Sequence, residues 1–324
     1  MSPRLPSVAL VLVALLAIAV PSASAQAPSP TLSGLASQPG INALKEVPFR
    51  SLSNPYVTPL GTAALSIRPT EWKHAETDNF IYHYFHDFVA TPVSVEAEFY
   101  YRVIAKDLNK DTSRWERKAQ IFIFESPEDW KTFQSRGALD PWTGGIHSRG
   151  ELFIQRDPTY KFKGNTLGHE IAHLVVDRFF GSNLPLWLNE GYAEYISRLA
   201  YASYYRARGY DAKAHTDNLM ATSFLPLDRL TRAVAYPTEV NEVLAFYTES
   251  EKLVRFLNAA DKTKFLVLLE SLARGSLFEN ALHSAYGTLY PTPSQLEAGF
   301  RPYAVAPPPG AGDPATTASV KLRP

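Results

Sequence analysis

The chain has 324 residues, enough for one large domain or two modest ones, and its hydrophobic content of 45% supports a sizeable core. Its 32 basic residues balance 32 acidic ones, so the composition gives no reason to expect nucleic acid or an anionic membrane surface as a partner. Cysteine is absent, which excludes disulfides, thiolate metal ligands and a cysteine nucleophile. Any metal ion must therefore be bound by His, Asp or Glu.

The first 25 residues have the pattern of a secretory signal peptide. Arg4 supplies a positive charge, residues 8–20 are apolar, and an Ala-x-Ala sequence predicts cleavage after Ala25. A membrane anchor is the alternative, but this apolar run is shorter than the roughly 20 residues that span a bilayer. We expect an exported protein, periplasmic or extracellular, without stable membrane insertion after cleavage. The absence of cysteine and of Asn-x-Ser/Thr sequons is more typical of bacterial than of eukaryotic exported proteins.

The composition of the remaining chain predicts one domain between two loose segments. Residues 26–70 are rich in Pro, Ser, Ala and Gly, which predicts a partly disordered lead-in. Residues 302–324 contain a Pro-Pro-Pro-Gly run and are predicted to form a disordered tail. The predicted domain is therefore 71–301.

The first part of this domain has strand patterns. Residues 79–85 and 119–124 are aromatic and β-branched, which predicts two strands. Between them, residues 93–108 carry apolar side chains at helical spacing and predict a helix. Ser126 followed by Pro127 indicates the start of another helix, because serine is a favoured N-cap and proline suits the first helical position.

Short strands and then a long helical region follow. Residues 144–146 and 151–155 predict two strands around a turn, and the second could pair with an extended peptide as an edge strand. From Thr166 onward the pattern is almost entirely helical. Strands first and helices afterwards predict an α+β fold with a small N-terminal sheet and a mainly helical second half.

A His-Glu-x-x-His motif lies in the predicted helix Thr166–Phe180. Because His169 and His173 are four residues apart, both lie on one helix face and can bind Zn²⁺ together. Glu170 lies beside them and can act as general base toward a metal-bound water. The motif is short and also occurs by chance, so the alternative is two ordinary histidines on a core or surface helix.

A second helix can supply the third ligand. Glu190 and Glu194 are four residues apart among apolar neighbours, where an unpaired carboxylate would be costly. The break at 181–185 would let this helix fold back against the first. One carboxylate could then bind the metal, while the other accepts a hydrogen bond from a histidine ring N–H.

The sequence His169–His173, followed by Trp187–Gly191 with its Asn-Glu-Gly element, resembles the gluzincin metallopeptidases. The aminopeptidase N-like and peptidase MA-like branches are the most similar. The resemblance implies a zincin-like (thermolysin-like) catalytic domain that contains one Zn²⁺ ion. It also implies that His169, His173 and Glu190 are the zinc ligands.

Two further roles are implied by the resemblance, which covers roughly residues 71–300. Glu194 matches the acid that gluzincins often carry four residues after the ligand, where it orients a zinc-bound histidine. Phe246–Val254 is similar to the family helix that presents a tyrosine to the scissile carbonyl, which makes Tyr247 the transition-state stabiliser. The Gly-x-Met-Glu-Asn element of aminopeptidases is missing from 144–149, so aminopeptidase specificity is not implied.

We therefore expect a secreted zinc metallopeptidase that hydrolyses peptide bonds with a zinc-activated water and Glu170 as general base. Its partner would be a peptide or protein substrate. A zinc hydrolase that acts on cell-wall peptides or another amide would also fit these residues. So would a catalytically silent, peptidase-like binding protein, or a structural domain in which the motifs are coincidental.

Overall fold

The computed structural model describes residues 44–111, 117–140, 143–156, 165–210 and 224–305. The predicted signal peptide and residues 306–324 of the predicted tail lie outside these residues. Within them, no helix combines the length and the apolar character that crossing a bilayer would require.

The first half of the chain contains a sheet and the helices that cover it. In chain order the elements are α1 (Pro59–Leu65), β1 (Lys73–Glu76), β2 (Phe80–Tyr84), α2 (Asp87–Asp107), β3 (Ala119–Phe124), α3 (Pro127–Arg136), β4 (Gly145–Ser148) and β5 (Glu151–Gln155).

The second half of the described chain is helical. Its elements are α4 (Thr166–Phe180), α5 (Leu186–Arg206), α6 (Leu227–Thr231), α7 (Val240–Ala260), α8 (Lys262–Ala273), α9 (Phe278–Tyr286) and α10 (Pro293–Val305). A small sheet followed by a mainly helical region confirms the predicted α+β class.

The five strands form one mixed sheet in the order β1-β2-β3-β5-β4. The pairs β2–β3 and β3–β5 are parallel, whereas β1 and β4 are antiparallel to their neighbours. The expectation that strand 151–155 is an edge strand is therefore wrong. β4 pairs with β5 through Ile146 opposite Phe153 and occupies that edge itself.

The two faces of the sheet pack against different helices. Leu152 and Ile154 point toward the large core that includes α2 and α4. Phe122 and Phe153 point the other way, where their rings stack at 4.7 Å in a smaller core. The central strands of the sheet are covered on both faces, and for this reason nearly all of their residues are apolar. This burial holds β4 and α4 in fixed positions beside each other.

Local signals define the two helices that matter most for function. α4 ends at Gly181, whose φ of 78° lies in the left-handed region that glycine adopts without strain. The chain then turns back into α5. At Gly191 a side chain would place its Cβ 2.3 Å from the carbonyl oxygen of Ser250, so this glycine lets α5 and α7 approach closely.

The described part of the predicted lead-in, residues 44–70, contacts the sheet. The amide of Val47 donates a hydrogen bond to the carbonyl of His74 in β1. Thr58 caps α1, and its amide and hydroxyl both donate to the carboxylate of Glu151 in β5.

Candidate metal centre

α4 brings the motif residues into the interior. His169, Glu170 and His173 are 2%, 0% and 3% exposed. Leu167 and Ile171 on another face of the same helix belong to the large core. The helix is thus held by apolar packing while its polar residues are buried, which is costly unless they have partners.

Three of the predicted site residues come together. His169 Nε2 lies 3.0 Å from His173 Nε2 and 3.4 Å from Glu190 Oε2. His173 Nε2 lies 3.6 Å from the same oxygen of Glu190. Ligand atoms placed tetrahedrally at about 2.0–2.1 Å from a zinc ion would be about 3.3 Å apart. The spacing of the three atoms therefore fits an ion of this size.

The charges of the cluster also favour a cation. Glu190 Oε2 is buried and has no hydrogen-bond partner among the described residues. Burial alone would raise the pKa of Glu190, but His173 and His169 instead lower it well below its usual value. Burial alone would lower the pKa of His169, but Glu190 and Glu194 raise it well above its usual value. In the absence of an ion, the carboxylates thus favour an extra proton on the imidazole of His169. A divalent cation would satisfy the same demand, and the donor set of two imidazoles and one carboxylate suits zinc.

Polar side chains behind the histidines orient their rings. His173 Nδ1 lies 3.1 Å from Asn189 Oδ1, and His169 Nδ1 lies 3.3 Å from Glu194 Oε1. With a proton on Nδ1, each ring directs the lone pair of Nε2 toward the cluster. Arg198 donates to Glu194 at 3.1 Å. Burial opposes ionisation of Glu194, but His169 and then Arg198 lower its pKa to about 2. Asn189 was missed as a separate contributor, although it belongs to the Asn-Glu-Gly element.

Glu170 lies next to the cluster without joining it. Neither of its buried carboxylate oxygens accepts a hydrogen bond of normal geometry from the described residues. Burial raises the pKa of Glu170 to about 7, although His169 and His173 act in the opposite direction. β4 passes close by, because a Cβ at Gly145 would lie 2.8 Å from Glu170 Oε1. Glycine at this position therefore leaves room for the carboxylate.

The described loop between α6 and α7 supplies a residue that sequence reasoning missed. The hydroxyl of Tyr236 donates to Glu190 Oε1 at 2.6 Å. Its ring lies nearly parallel to that of Tyr247, at 13° with centroids 6.1 Å apart. The predicted Tyr247 is therefore next to a tyrosine that contacts a candidate ligand. No periodicity or spacing singles out Tyr236, because it lies outside the regular elements.

His147 follows the strand predicted at 144–146, but in the structure it belongs to β4 and is partly buried. Burial, with the nearby charges of His173 and Arg178, lowers the pKa of its imidazole to about 3. It therefore lines the site as a neutral ring. β4 continues two residues beyond the predicted end of the strand, and this extension brings His147 into the sheet.

Comparison with known proteins agrees with this geometry. A family model described as Peptidase MA superfamily matches residues 102–291, more than half of the chain. The matched range contains the clustered candidate ligands on α4 and α5 and both tyrosines. A search of curated proteins found no match.

Proposed function

This chain belongs to the Peptidase MA superfamily, a group of metallopeptidases, and we propose that it is a secreted zinc-dependent enzyme that hydrolyses peptide bonds. The observation that carries the proposal is the convergence of His169, His173 and Glu190 at distances suited to one zinc ion, with Glu170 beside them. Export is proposed from the signal-peptide pattern of the first 25 residues.

In this proposal the two histidines and Glu190 hold the ion, and Glu170 transfers protons. When bound, zinc polarises a carbonyl and lowers the pKa of water. Glu170 accepts a proton from the attacking water and later donates it to the leaving amine. Burial raises the pKa of Glu170, which favours a carboxyl group that can both accept and donate a proton.

The surrounding residues hold this arrangement in place. Asn189 and Glu194 orient His173 and His169 through their Nδ1 atoms. Tyr236 occupies Glu190 Oε1 and leaves Oε2 directed at the histidines. Tyr247 is proposed to donate its hydroxyl to the developing oxyanion.

The exposed edge of β4 is the proposed docking line for the substrate. β4 ends the sheet among the described residues, so its outer backbone groups are free of a neighbouring strand. It also lies against Glu170 at Gly145. An extended peptide paired with β4 would pass beside the catalytic carboxylate. The proposed partner is therefore a peptide or protein in extended form, with no role for nucleic acid.

Replacement of Glu170 by Gln tests the function. Glutamine has nearly the same shape but cannot accept the proton, so we expect kcat to fall by about 10²–10⁴-fold. Zinc content by elemental analysis should stay at one ion per chain, because Glu170 is not a proposed ligand. Casein and purified peptidoglycan, assayed in parallel, separate a general peptidase from a cell-wall hydrolase. Full activity in the Glu170→Gln variant would contradict the proposed mechanism.

A further inference from the structure

A cavity of about 690 Å³ lies at the end of the sheet where β3 and β5 begin and α4 ends. We call it the basal cavity. Its walls are formed by residues from four segments, which lie within 54–59, 117–120, 149–151 and 174–179. This volume is within the range of sites that hold small ligands or amino-acid side chains.

The basal cavity carries an excess of positive charge. Four cationic residues line it against two acidic ones, namely Arg117, Lys118, Arg149 and Arg178 against Glu151 and Asp177. Clustered cations of this kind attract carboxylates and phosphates.

The two acidic residues of the cavity have little negative charge to offer a ligand, because one is hydrogen-bonded and the other is hard to ionise. Glu151 accepts hydrogen bonds from the amide and the hydroxyl of Thr58. Burial raises the pKa of Asp177, although the neighbouring Arg178 acts in the opposite direction. Neither group is therefore well placed to bind a cationic ligand.

Two of the cations remain available for a ligand. Lys118 is paired with Glu76 at 2.7 Å. Arg117, in contrast, donates to the side-chain amide oxygen of Asn54, which is neutral. Across the described ranges, no carboxylate lies within ion-pair distance of Arg117 or Arg149. Burial raises the pKa of Glu151, and the charge of Arg117 opposes this rise from farther away. An anion in the cavity would gain two charge-assisted contacts without breaking an existing ion pair.

The basal cavity and the candidate metal centre share two walls. On β4, His147 lies near His173, and Arg149 of the cavity follows two residues later. On α4, residues that follow His173 line the cavity. Leu174 is the next residue, and Asp177 lies about one helical turn farther along. Strands advance about 3.3 Å per residue and helices about 5.4 Å per turn. The cavity is thus one to three extended residues away from the metal centre.

We propose that the basal cavity is a specificity subsite that binds an acidic side chain of the substrate. The enzyme then prefers peptides with Asp or Glu within about three residues of the cleaved bond. The inference rests on the proposed peptidase function. Arg117 and Arg149 would bind the carboxylate, and the distance from the metal centre would set its position in the peptide.

Binding to the zinc-loaded Glu170→Gln protein tests this subsite without requiring turnover. The probes are fluorescent, end-blocked alanine octapeptides that carry a single Glu, Gln or Lys at successive positions. At one position we expect the Glu peptide to bind about tenfold more tightly than the Gln peptide, and the Lys peptide to bind least well. Arg117→Gln and Arg149→Asn should each reduce this preference, and the double variant should bring it to within about twofold. Asparagine is chosen because residue 149 has a φ of 51°, a conformation that asparagine tolerates.

Arg102→Gln is the matched control, because Arg102 lies outside the cavity and pairs with Glu98 on the surface of α2. It should leave the Glu preference unchanged. Equal binding of the Glu and Gln peptides at every position, or a preference for Lys, would overturn the subsite. Cleavage of the same peptides by the unmodified protein is measured separately. Cleavage without a Glu preference refutes the subsite alone, whereas a Glu preference in binding without any cleavage refutes the proposed peptidase function.

Discussion

Among the described residues, two pairs of histidines meet within hydrogen-bonding distance, and only one of them has the surroundings of a candidate metal site. His169 and His173 approach to 3.0 Å along one face of α4. His74 and His83 approach to 2.8 Å between their Nδ1 atoms, across the antiparallel strands β1 and β2.

The side chains that contact the pair in the sheet are neutral, although the charge of Glu46 acts on His74 without a hydrogen bond to it. His83 Nε2 lies 2.8 Å from the side-chain oxygen of Gln120, and its ring stacks on Phe122 at 4.3 Å. Phe49 packs edge-on against His74 at 5.1 Å. Burial, with the neighbouring His74, lowers the pKa of His83 to about 3. This pair is thus held as neutral rings that share hydrogen bonds.

The pair on α4 instead faces carboxylates. Glu190 directs an oxygen without a hydrogen-bond partner at both imidazoles, and Glu194 approaches His169 from behind. Among the described residues, this is the one place where three such ligand atoms come together. The comparison shows that two close imidazoles do not define a metal centre. The pair on α4 differs in facing a buried carboxylate oxygen of Glu190 that has no hydrogen-bond partner among the described residues.

The largest effect is expected when the carboxylate that faces the pair on α4 is replaced by an amide, as in the sheet pair. Glu190→Gln gives the pair on α4 the same composition as the sheet pair, two imidazoles and an amide. We expect zinc binding to weaken by more than the roughly 10–100-fold that loss of a group behind a ligand produces. Peptidase activity should fall to background. Zinc affinity is measured by competition with a coloured chelator, and zinc content by elemental analysis.

Glu194→Gln serves as the graded control for this variant. Glutamine can still accept a hydrogen bond from His169 but carries no charge. We expect a loss of zinc affinity of at most about 10–100-fold. If Glu190→Gln kept stoichiometric zinc while Glu194→Gln lost it, the third ligand would be Glu194.

Removal of the Tyr236 hydroxyl is expected to have the next largest effect on zinc affinity. Tyr236→Phe deletes the hydrogen bond to Glu190 Oε1 and frees the carboxylate to rotate. We expect zinc affinity to fall by about 10–100-fold, because groups that orient metal ligands have effects of this size. Tyr247→Phe is the matched control, since its ring lies beside that of Tyr236.

The two tyrosine variants should differ in what they change. Tyr247→Phe should keep zinc affinity within about twofold and lower kcat, because an oxyanion donor acts on the transition state rather than on the metal. Unchanged zinc affinity in Tyr236→Phe would show that Glu190 is held without this contact.

Local sequence signals were sufficient for individual elements and for the motif. β3 at 119–124 and α4 at 166–180 have the bounds that the apolar pattern and the break after Phe180 predicted. The i, i+4 spacing of His169 and His173 places both on one face once the helix forms. The position of Glu190 beside the two histidines was predictable because α5 folds back against α4 after the turn at Gly181.

Nonlocal features could not be predicted in the same way. Which strand lies at the edge of a sheet depends on strand pairing. The sequence therefore predicted β5 at the edge, whereas β4 is the edge strand. His74 and His83 are brought together by the register of β1 and β2, which no spacing reveals. Tyr236 reaches Glu190 from a loop, and loops lack the periodicity that identifies a buried side chain.

The smallest predicted effect concerns the neutral pair and its response to pH. His83 has a pKa of about 3 in the folded state, against 6.5 for the free side chain. Because the pKa of His83 is lower in the folded state, the unfolded chain binds a proton more readily than the folded protein. The free energy of unfolding is therefore unaffected by His83 above pH 6.5 and decreases as the pH falls toward 3. By about pH 5 the loss amounts to about 2 kcal/mol of the free energy of unfolding.

His83→Gln removes this titration and retains a polar group next to Gln120. Urea unfolding at about pH 7.5 and about pH 5 should show that the variant loses about 2 kcal/mol less stability than the unmodified protein over this range. Equal losses in the two proteins would mean that His83 is protonated in the folded state near pH 5. The sheet pair would then accept positive charge as His169 does, and the surroundings alone would not explain why only one pair forms a candidate metal site.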